Sequence, residues 1–321
     1  MTDNRTICVF GGTGFVGRSL AARLHTAGFN VRIPTRNRQR SRPLLVLPSV
    51  ELIEADIHDP AQLMSVLQGS DIIINLVGIL NERGRDGSGF RRAHLELPEK
   101  IVTAALELGI PRLLHMSALK ANAERGPSHY LRTKGQAEKL IANLAEDDLK
   151  YTIFQPSVIF GPGDGFINLF ASMMRLAPVL PLARPNARFA PIYVEDVASA
   201  FVTAIDNRAT YGRTYQLCGP RIYSLREILQ LIGRVLGVKR AIIGLPDSLS
   251  QLQAWCMDYL VPGKIFTLDN YRSLTVNSVC AASGLAELNI EPTSMELIVP
   301  QYLGTAGHQK WLSRLREHAG R

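Results

Sequence analysis

Acidic residues are missing from one long stretch of this 321-residue chain, with none between Asp3 and Glu51. The same stretch carries Arg5, Arg18, Arg23, Arg32, Arg36, Arg38, Arg40 and Arg42, which together equal the whole net charge of +8. Elsewhere bases and acids balance, so the sequence describes one cationic site and not a generally basic protein. Nucleic acid is therefore not an expected partner. Cysteines are few, and Cys8, Cys218, Cys256 and Cys280 show no metal-ligand or redox spacing. Free thiols in a reducing, cytoplasmic compartment are expected, and the scattered histidines suggest no metal site. No apolar run approaches the ~18–20 residues that a spanning helix needs. The start, Met1-Thr2-Asp3-Asn4-Arg5, runs almost directly into a strand-like segment, which leaves no room for a signal peptide. Internal repeats and low-complexity linkers are also lacking.

What is present has the texture of an α/β protein. The chain is 46% hydrophobic and 20% charged, and long enough for one large or two unequal domains. Short β-branched runs at Thr6–Phe10, Asn30–Pro34, Val50–Glu54, Ile72–Leu76, Arg112–Met116 and Tyr151–Gln155 alternate with amphipathic segments starting near Gly14, Pro60, Arg91, His129 and Gly165. This alternation predicts a Rossmann-type, doubly wound parallel sheet, with ligands at the carboxyl ends of the strands. From Pro156 onward, shorter elements are punctuated by Pro162, Pro178, Pro181, Pro185 and Pro191. The expected organisation is a dinucleotide-binding domain over 1–155 and a smaller, partly interleaved C-terminal lobe over 156–321.

The first strand turns into a helix through Gly11-Gly12-Thr13-Gly14-Phe15-Val16-Gly17. Gly11 permits the tight turn, Gly14 admits a pyrophosphate to the backbone, and Gly17 allows close helix–strand packing. The helix N-terminus offers free N–H groups to the phosphates. A glycine pattern alone is weak evidence, and its alternative is a purely structural turn. Its strand–turn–helix context favours nucleotide binding. After the second strand, Thr35-Arg36-Asn37-Arg38-Gln39-Arg40 has no acid to accept from a ribose 2′-hydroxyl. Arg36 first, and Arg38 second, suit the forked contact of a 2′-phosphate, so NADP(H) is preferred over NAD(H). The alternative is a solvated, arginine-rich loop. Asp56 and Ile57 end the third strand, where a carboxylate can accept from the adenine amine. Leu76, Val77 and Gly78 end the fourth, where small or apolar backbone can lie along the ribose and nicotinamide.

Tyr130 and Lys134 lie four residues apart at the start of a helix and so share one face. A neighbouring ammonium and an oxidised nicotinamide both favour phenolate, bringing a phenol of ordinary pKa near 10 toward the neutral range. The lysine can also donate to the nicotinamide ribose. Ser117 ends the fifth strand.

Together with Gln155-Pro156-Ser157-Val158-Ile159-Phe160-Gly161-Pro162-Gly163-Asp164 and Tyr193-Val194-Glu195-Asp196-Val197-Ala198, these motifs resemble an extended short-chain dehydrogenase/reductase of the NAD-dependent epimerase/dehydratase type. The resemblance covers most of the chain. It implies a nicotinamide dinucleotide cofactor and adds Met116, Pro156 and Val158 to its contacts. His115-Met116-Ser117-Ala118-Leu119, Tyr130-Leu131-Arg132-Thr133-Lys134 and the Glu291–Leu303 region are similar to an atypical branch. That branch includes the NADPH-binding accessory subunit of respiratory complex I and its bacterial relatives, some linked to ubiquinone biosynthesis. A respiratory or quinone-biosynthesis complex, or a membrane surface, is the partner this implies, at the cytoplasmic inner face of a membrane.

One departure matters. Active members carry two small hydroxyl residues where this chain has Ser117-Ala118, and the missing second one polarises the substrate. Losing such a donor costs on the order of 10²–10³ in rate. The resemblance therefore implies a cofactor that is chiefly structural or redox-sensing, with Tyr130, Lys134 and an improvised Ser117 as the catalytic set of the alternative, an active reductase or epimerase.

In the second lobe, Met173 and Met174 read as core before substrate cleft. The stretch Leu249–Leu260, with Trp255, Met257 and Tyr259, equally fits a docking helix, a membrane-surface helix or core. Arg314 and Arg316 read as a solvated helix face.

Overall fold

Ile7, Cys8, Val9 and Phe10 are all buried, as a strand covered on both faces requires. Their side chains alternate, with Ile7 and Val9 entering one core and Cys8 and Phe10 the other. The structure is a computed structural model and describes residues 5–145, 148–260 and 265–303. Arg314, Arg316 and the first four residues lie outside these.

The main sheet comprises β1 (Thr6–Phe10), β2 (Asn30–Thr35), β3 (Val50–Glu54), β4 (Ile72–Asn75), β5 (Arg112–Met116), β6 (Lys150–Pro156) and a later strand, Arg213–Leu217. All its pairings are parallel. Counting the late strand first, the order is Arg213–Leu217, β6, β5, β4, β1, β2, β3. The chain winds one way from β1 to β3, then crosses back to β4 on the other side of β1. The carboxyl ends of β1 and β4 thus form the switch point where such sheets bind ligands.

On one face, α1 (Phe15–Thr26) lies against the sheet. On the other lie α2 (Pro60–Leu67), α4 (Leu97–Glu107) and α5 (His129–Leu144), and the short α3 (Ser88–Arg91) packs against α5. Asp59 and Ser128 cap α2 and α5 by accepting from the backbone N–H groups of Gln62 and Leu131. The helix expected near Arg91 begins at Ser88 and passes through a π-helical turn, Arg92–Glu96, before α4. Such turns aim a side chain out of the ordinary helical register, here His94.

After β6 come β7 (Ile159–Phe160), α6 (Phe166–Leu176), β8 (Val179–Leu182), β9 (Arg188–Phe189) and β10 (Ile192–Tyr193). The chain then returns to the sheet. Helix α7 (Val194–Ala204) packs against α1, and β11 (Arg213–Leu217) pairs with β6. Neither element was distinguished from the second lobe by sequence, because short strands and a helix without a glycine signature look alike on either side of the fold. The remaining elements are β12 (Tyr223–Ser224), α8 (Leu225–Leu236), β13 (Ala241–Gly244), α9 (Asp247–Leu260), α10 (Leu268–Ser273) and α11 (Met295–Leu303). A third apolar core joins α6, α8 and α11 and contains buried Met174 with half-buried Met173 beside it. Core packing is therefore what these methionines do.

The expectation of four free thiols is corrected. Cys218 and Cys280 form a disulfide across 62 residues, while Cys8 and Cys256 are free. No local motif marks this pair, because Cys218 follows β11 and Cys280 lies on a distant segment that the fold brings back. The cysteine count therefore no longer argues for a reducing compartment.

Candidate active site

The glycine turn sits at the switch point with donors to spare. Gly11 has φ +76°, and a Cβ there would lie 3.0 Å from the Leu76 carbonyl carbon, so this turn and the end of β4 touch backbone to backbone. A Cβ at Gly17 would come within 2.5 Å of Gly11 O and Gly12 C, which fixes the close approach of α1. Gly14 caps α1 without a side-chain bond, and no acid occupies the first turn. Among the described residues, the N–H groups of Phe15, Val16 and Gly17 have no acceptor. Orphan donors at a helix N-terminus suit a pyrophosphate.

Three of the eight early arginines are committed elsewhere. Arg5 pairs with Asp206, Arg23 with Glu195 and Arg32 with Glu51. Arg18 folds back over the glycine turn, Nη1 donating to Thr13 O at 3.1 Å, and burial lowers its pKa. No carboxylate among the described residues pairs with Arg18, Arg36, Arg38, Arg40 or Arg42. Arg36 and Arg38 are exposed in the loop after β2, which Asn37 shapes by accepting from the Arg40 N–H. Exposed Asp56 follows β3, and its Oδ1 accepts from the His58 N–H. Ile57 packs on the core beside it.

On the other side of the glycine turn, Lys134 is almost fully buried. Its Nζ donates to Met116 O at 2.9 Å and Val77 O at 3.3 Å, and lies 3.3 Å from where a Gly78 Cβ would be. The lysine thus joins the ends of β4 and β5 to α5. Burial lowers it to about 8, opposed by the Glu138 carboxylate.

Tyr130 lies one turn earlier, its ring edge-on to His94 at 5.4 Å and to Phe90 at 6.3 Å. Burial pushes its phenol up to about 12. No hydrogen bond holds its hydroxyl among the described residues. The lysine that would favour phenolate is turned toward the carbonyls.

Ser117 donates to Glu138, which also accepts from Gln155 Nε2 at 2.8 and 2.9 Å. The serine hydroxyl expected to face a substrate is therefore spent on a half-buried carboxylate, and Ala118 beside it has none. Pro156 ends β6 and Val158 follows it, and their carbonyls accept from the backbone N–H groups of Leu119 and Ile192.

Several participants escaped the sequence reading. His94 accepts from the Ile79 N–H through Nε2 at 3.0 Å, so its proton lies on Nδ1 and goes to Thr133 Oγ1. Burial drops its pKa to about 2, so it stays neutral. Asp269 accepts from the N–H groups of His129 and Tyr130, anchoring the start of α5 from the second lobe. Glu138 was legible as the next residue on the Tyr130–Lys134 face. His94 and Asp269 gave no local signal.

Residues 7–218 match the family model described as the NAD dependent epimerase/dehydratase family. The chain is 28% identical over 305 residues to subunit 9 of the NADH dehydrogenase [ubiquinone] 1 alpha subcomplex, mitochondrial, of Arabidopsis thaliana, covering 90% of this chain and 74% of that protein. It is 30% identical over 250 residues to the Ceramide reductase of Caulobacter vibrioides, covering 77% and 75%. In structure it is similar to the UDP-glucose 4-epimerase of Thermotoga maritima, with a TM-score of 0.74, 16% identity and coverage of 96% and 99%. The Thermus thermophilus UDP-glucose 4-epimerase in complex with NAD gives 0.63 at 18% identity over 83% of this chain and 99% of that one. These structural likenesses speak for the fold.

Proposed function

The chain belongs to the NAD dependent epimerase/dehydratase family, and from that premise we propose that it is an atypical short-chain dehydrogenase/reductase holding NADP(H) chiefly as a structural or redox-sensing cofactor. The family's cofactor is a nicotinamide dinucleotide, which supplies hydride-transfer chemistry when bound. In this reading the N–H groups of Phe15, Val16 and Gly17 take the pyrophosphate. Arg36 and Arg38 take the 2′-phosphate, Asp56 and Ile57 border the adenine, and Leu76, Val77, Gly78, Met116 and Lys134 line the nicotinamide end.

One observation carries the preference for a non-catalytic role. The Ser117 hydroxyl is bound to Glu138, and Ala118 has none, so no hydroxyl from that strand end is left to polarise a carbonyl. The relatives named as NADH dehydrogenase [ubiquinone] subunits support an association with respiratory complex I or quinone metabolism; a place at the cytoplasmic inner face of a membrane is part of the same proposal. The test is the nucleotide that co-purifies. NADPH that resists exchange and is not oxidised by a panel of carbonyls and quinones is the expected result; rapid stoichiometric oxidation would overturn it.

A second reading, an active NADPH-dependent reductase or epimerase, is favoured by the uncommitted Tyr130 hydroxyl and by a relative named as a reductase. There Tyr130 transfers the proton and Lys134 orients the ribose.

A further inference from the structure

Helix α9 is inside out. The positions it buries are Ser250, Ala254 and Asp258, one small or polar residue per turn. The opposite face carries Leu249, Leu252, Trp255, Tyr259 and Leu260, exposed at 48%, 54%, 45%, 48% and 69%. A helix on the surface of a globular protein normally presents its large apolar residues inward. Here the small strip anchors the helix and the apolar side chains are displayed.

The display extends beyond one helix. Gln253 Nε2 donates to Pro181 O at 3.0 Å, tying α9 to the β8–β13 ribbon. In that ribbon Val179 pairs with Ala241, and Pro181 with Ile243, and all four are exposed. Leu176, just before β8, is 86% exposed. Contiguous apolar faces of this kind mark interaction sites.

Charge indicates what covers it. The two carboxylates of α9 are occupied, Asp247 by Arg184 at 2.8 Å and Asp258 by Arg85 at 3.5 Å. Cations border the ribbon side. Arg240 donates to the carbonyls of Met174 and Arg175, and Arg175 donates to that of Leu303, and neither pairs with a carboxylate among the described residues. Lys239 is exposed beside them. Leu303 is also where the described chain ends. The following residues, 304–321, contain Lys310, Arg314, Arg316 and Arg321 against Glu317 alone, with Trp311, Leu312 and Leu315 among them.

We propose that this face docks onto an anionic lipid bilayer, with α9 lying in the plane of the interface and Arg175, Lys239 and Arg240 toward the headgroups. An apolar stripe together with a cluster of cations supplies the two signals that stable in-plane attachment needs. The stacked Trp255 and Tyr259 rings, 5.1 Å apart, are the side chains that favour the boundary between headgroup and hydrocarbon. At 14 residues, roughly 21 Å long, α9 lies along a membrane and does not cross it. The surface is separate from the glycine turn, so the inference does not rest on which nucleotide binds. Tyr259 also lines a cavity of about 170 Å³ with Arg85, Phe90, His129 and Asp269, next to the start of α5. Docking through α9 would therefore set the bilayer beside the Tyr130 end of the cleft.

The test uses the full chain with phosphatidylcholine vesicles, with and without phosphatidylglycerol. Flotation with the phosphatidylglycerol vesicles, suppressed by salt, is expected. A double substitution, L252D with W255D, should weaken it roughly tenfold or more while leaving nucleotide affinity and circular dichroism unchanged. In W311F, Trp255 is the sole tryptophan, and its emission should shift to the blue on vesicle binding. The proposal fails if no vesicle binds the chain, or if the double substitution leaves binding unchanged. It also fails if Trp255 is already shielded from quencher by the chain's own tail, or if the free protein is a dimer that the double substitution dissociates.

Discussion

The Lys134 ammonium lies 2.9 Å from the carbonyl oxygen of Met116, the last residue of β5 before Ser117. A second bond to Val77 O fastens the neighbouring strand end in the same way. A single buried cation from α5 therefore satisfies two carbonyls at the carboxyl edge of the sheet, where ordinary ladder bonds stop. Replacing it leaves those oxygens unpaired and removes the donor proposed to meet the nicotinamide ribose.

Lys134→Met should accordingly weaken dinucleotide binding roughly ten- to a hundredfold, measured by calorimetry or fluorescence. The pH dependence separates two effects. The ordinary value is 10.5 and the folded value about 8. Below about pH 8 both folded and unfolded chains carry the charge, so the cost of burying it is fully present. Stability from this group rises as pH climbs from about 8 toward 10.5. Binding moves the other way and weakens above about pH 8, as the donor loses its proton. A binding curve flat through this range in the parent protein would remove Lys134 from the proposed site.

Tyr130→Phe removes a hydroxyl that bonds to nothing among the described residues. Stability should change by no more than about 0.5 kcal/mol, and dinucleotide affinity should stay nearly constant. The diagnostic quantity is turnover, if a substrate is found. Loss of turnover at unchanged affinity would favour the reductase reading over the structural one. With the phenol at about 12, phenolate absorbance should be absent at neutral pH in the nucleotide-free protein.

Glu138 gathers Ser117 and Gln155 around one half-buried carboxylate. Glu138→Leu strands both donors and should destabilise the fold by about 2–4 kcal/mol in chemical denaturation. Burial holds the Glu138 pKa above its ordinary value of 4.5. The folded chain therefore keeps this proton more readily than the unfolded one. Its contribution is fully present below about pH 4.5 and is lost as pH rises through the folded value. Glu138→Leu should abolish that component of the pH–stability profile, and an unchanged profile would refute the assignment.

Much of this was legible along the chain because the signals are local. The bounds of β1, β3 and β5 coincide with the candidate strands, and α5 and α6 begin where His129 and Phe166 follow their caps or glycine. The glycine turn announces its own context within seven residues. What escaped depends on contacts between distant segments. His94 matters because a π turn aims it at Ile79 and Thr133, and Asp269 matters because α10 docks on α5. The outward face of α9 was ambiguous for a related reason: its composition allows either side to be buried, and only packing shows that the small strip was chosen.

The Cys218–Cys280 link closes a loop of 62 residues that includes α8 to α10. Chain entropy alone assigns such a closure about 4 kcal/mol, and measured values commonly run from about 2 to 4. Cys218→Ser with Cys280→Ser should therefore lower Tm by several degrees. Reductant should lower the parent to the same value and leave the double variant unmoved. A parent insensitive to reductant, with two titratable thiols at those positions, would show the link is not made in the purified protein.

Arg36 decides the reading of the charge excess. With Arg5, Arg23 and Arg32 paired to carboxylates, the positive field near the glycine turn comes from Arg18 and the loop after β2. A charge-assisted fork onto a 2′-phosphate contributes enough for roughly a tenfold or greater effect. Arg36→Ala should weaken NADPH by that factor while leaving NADH nearly unchanged, and Arg38→Ala should do the same more weakly. The NADPH preference should also shrink as salt rises, because both arginines are exposed and screened. Equal losses for the two nucleotides would mean that the loop supports the adenosine without reading its phosphate, and the preference for NADP(H) would then have no residue behind it.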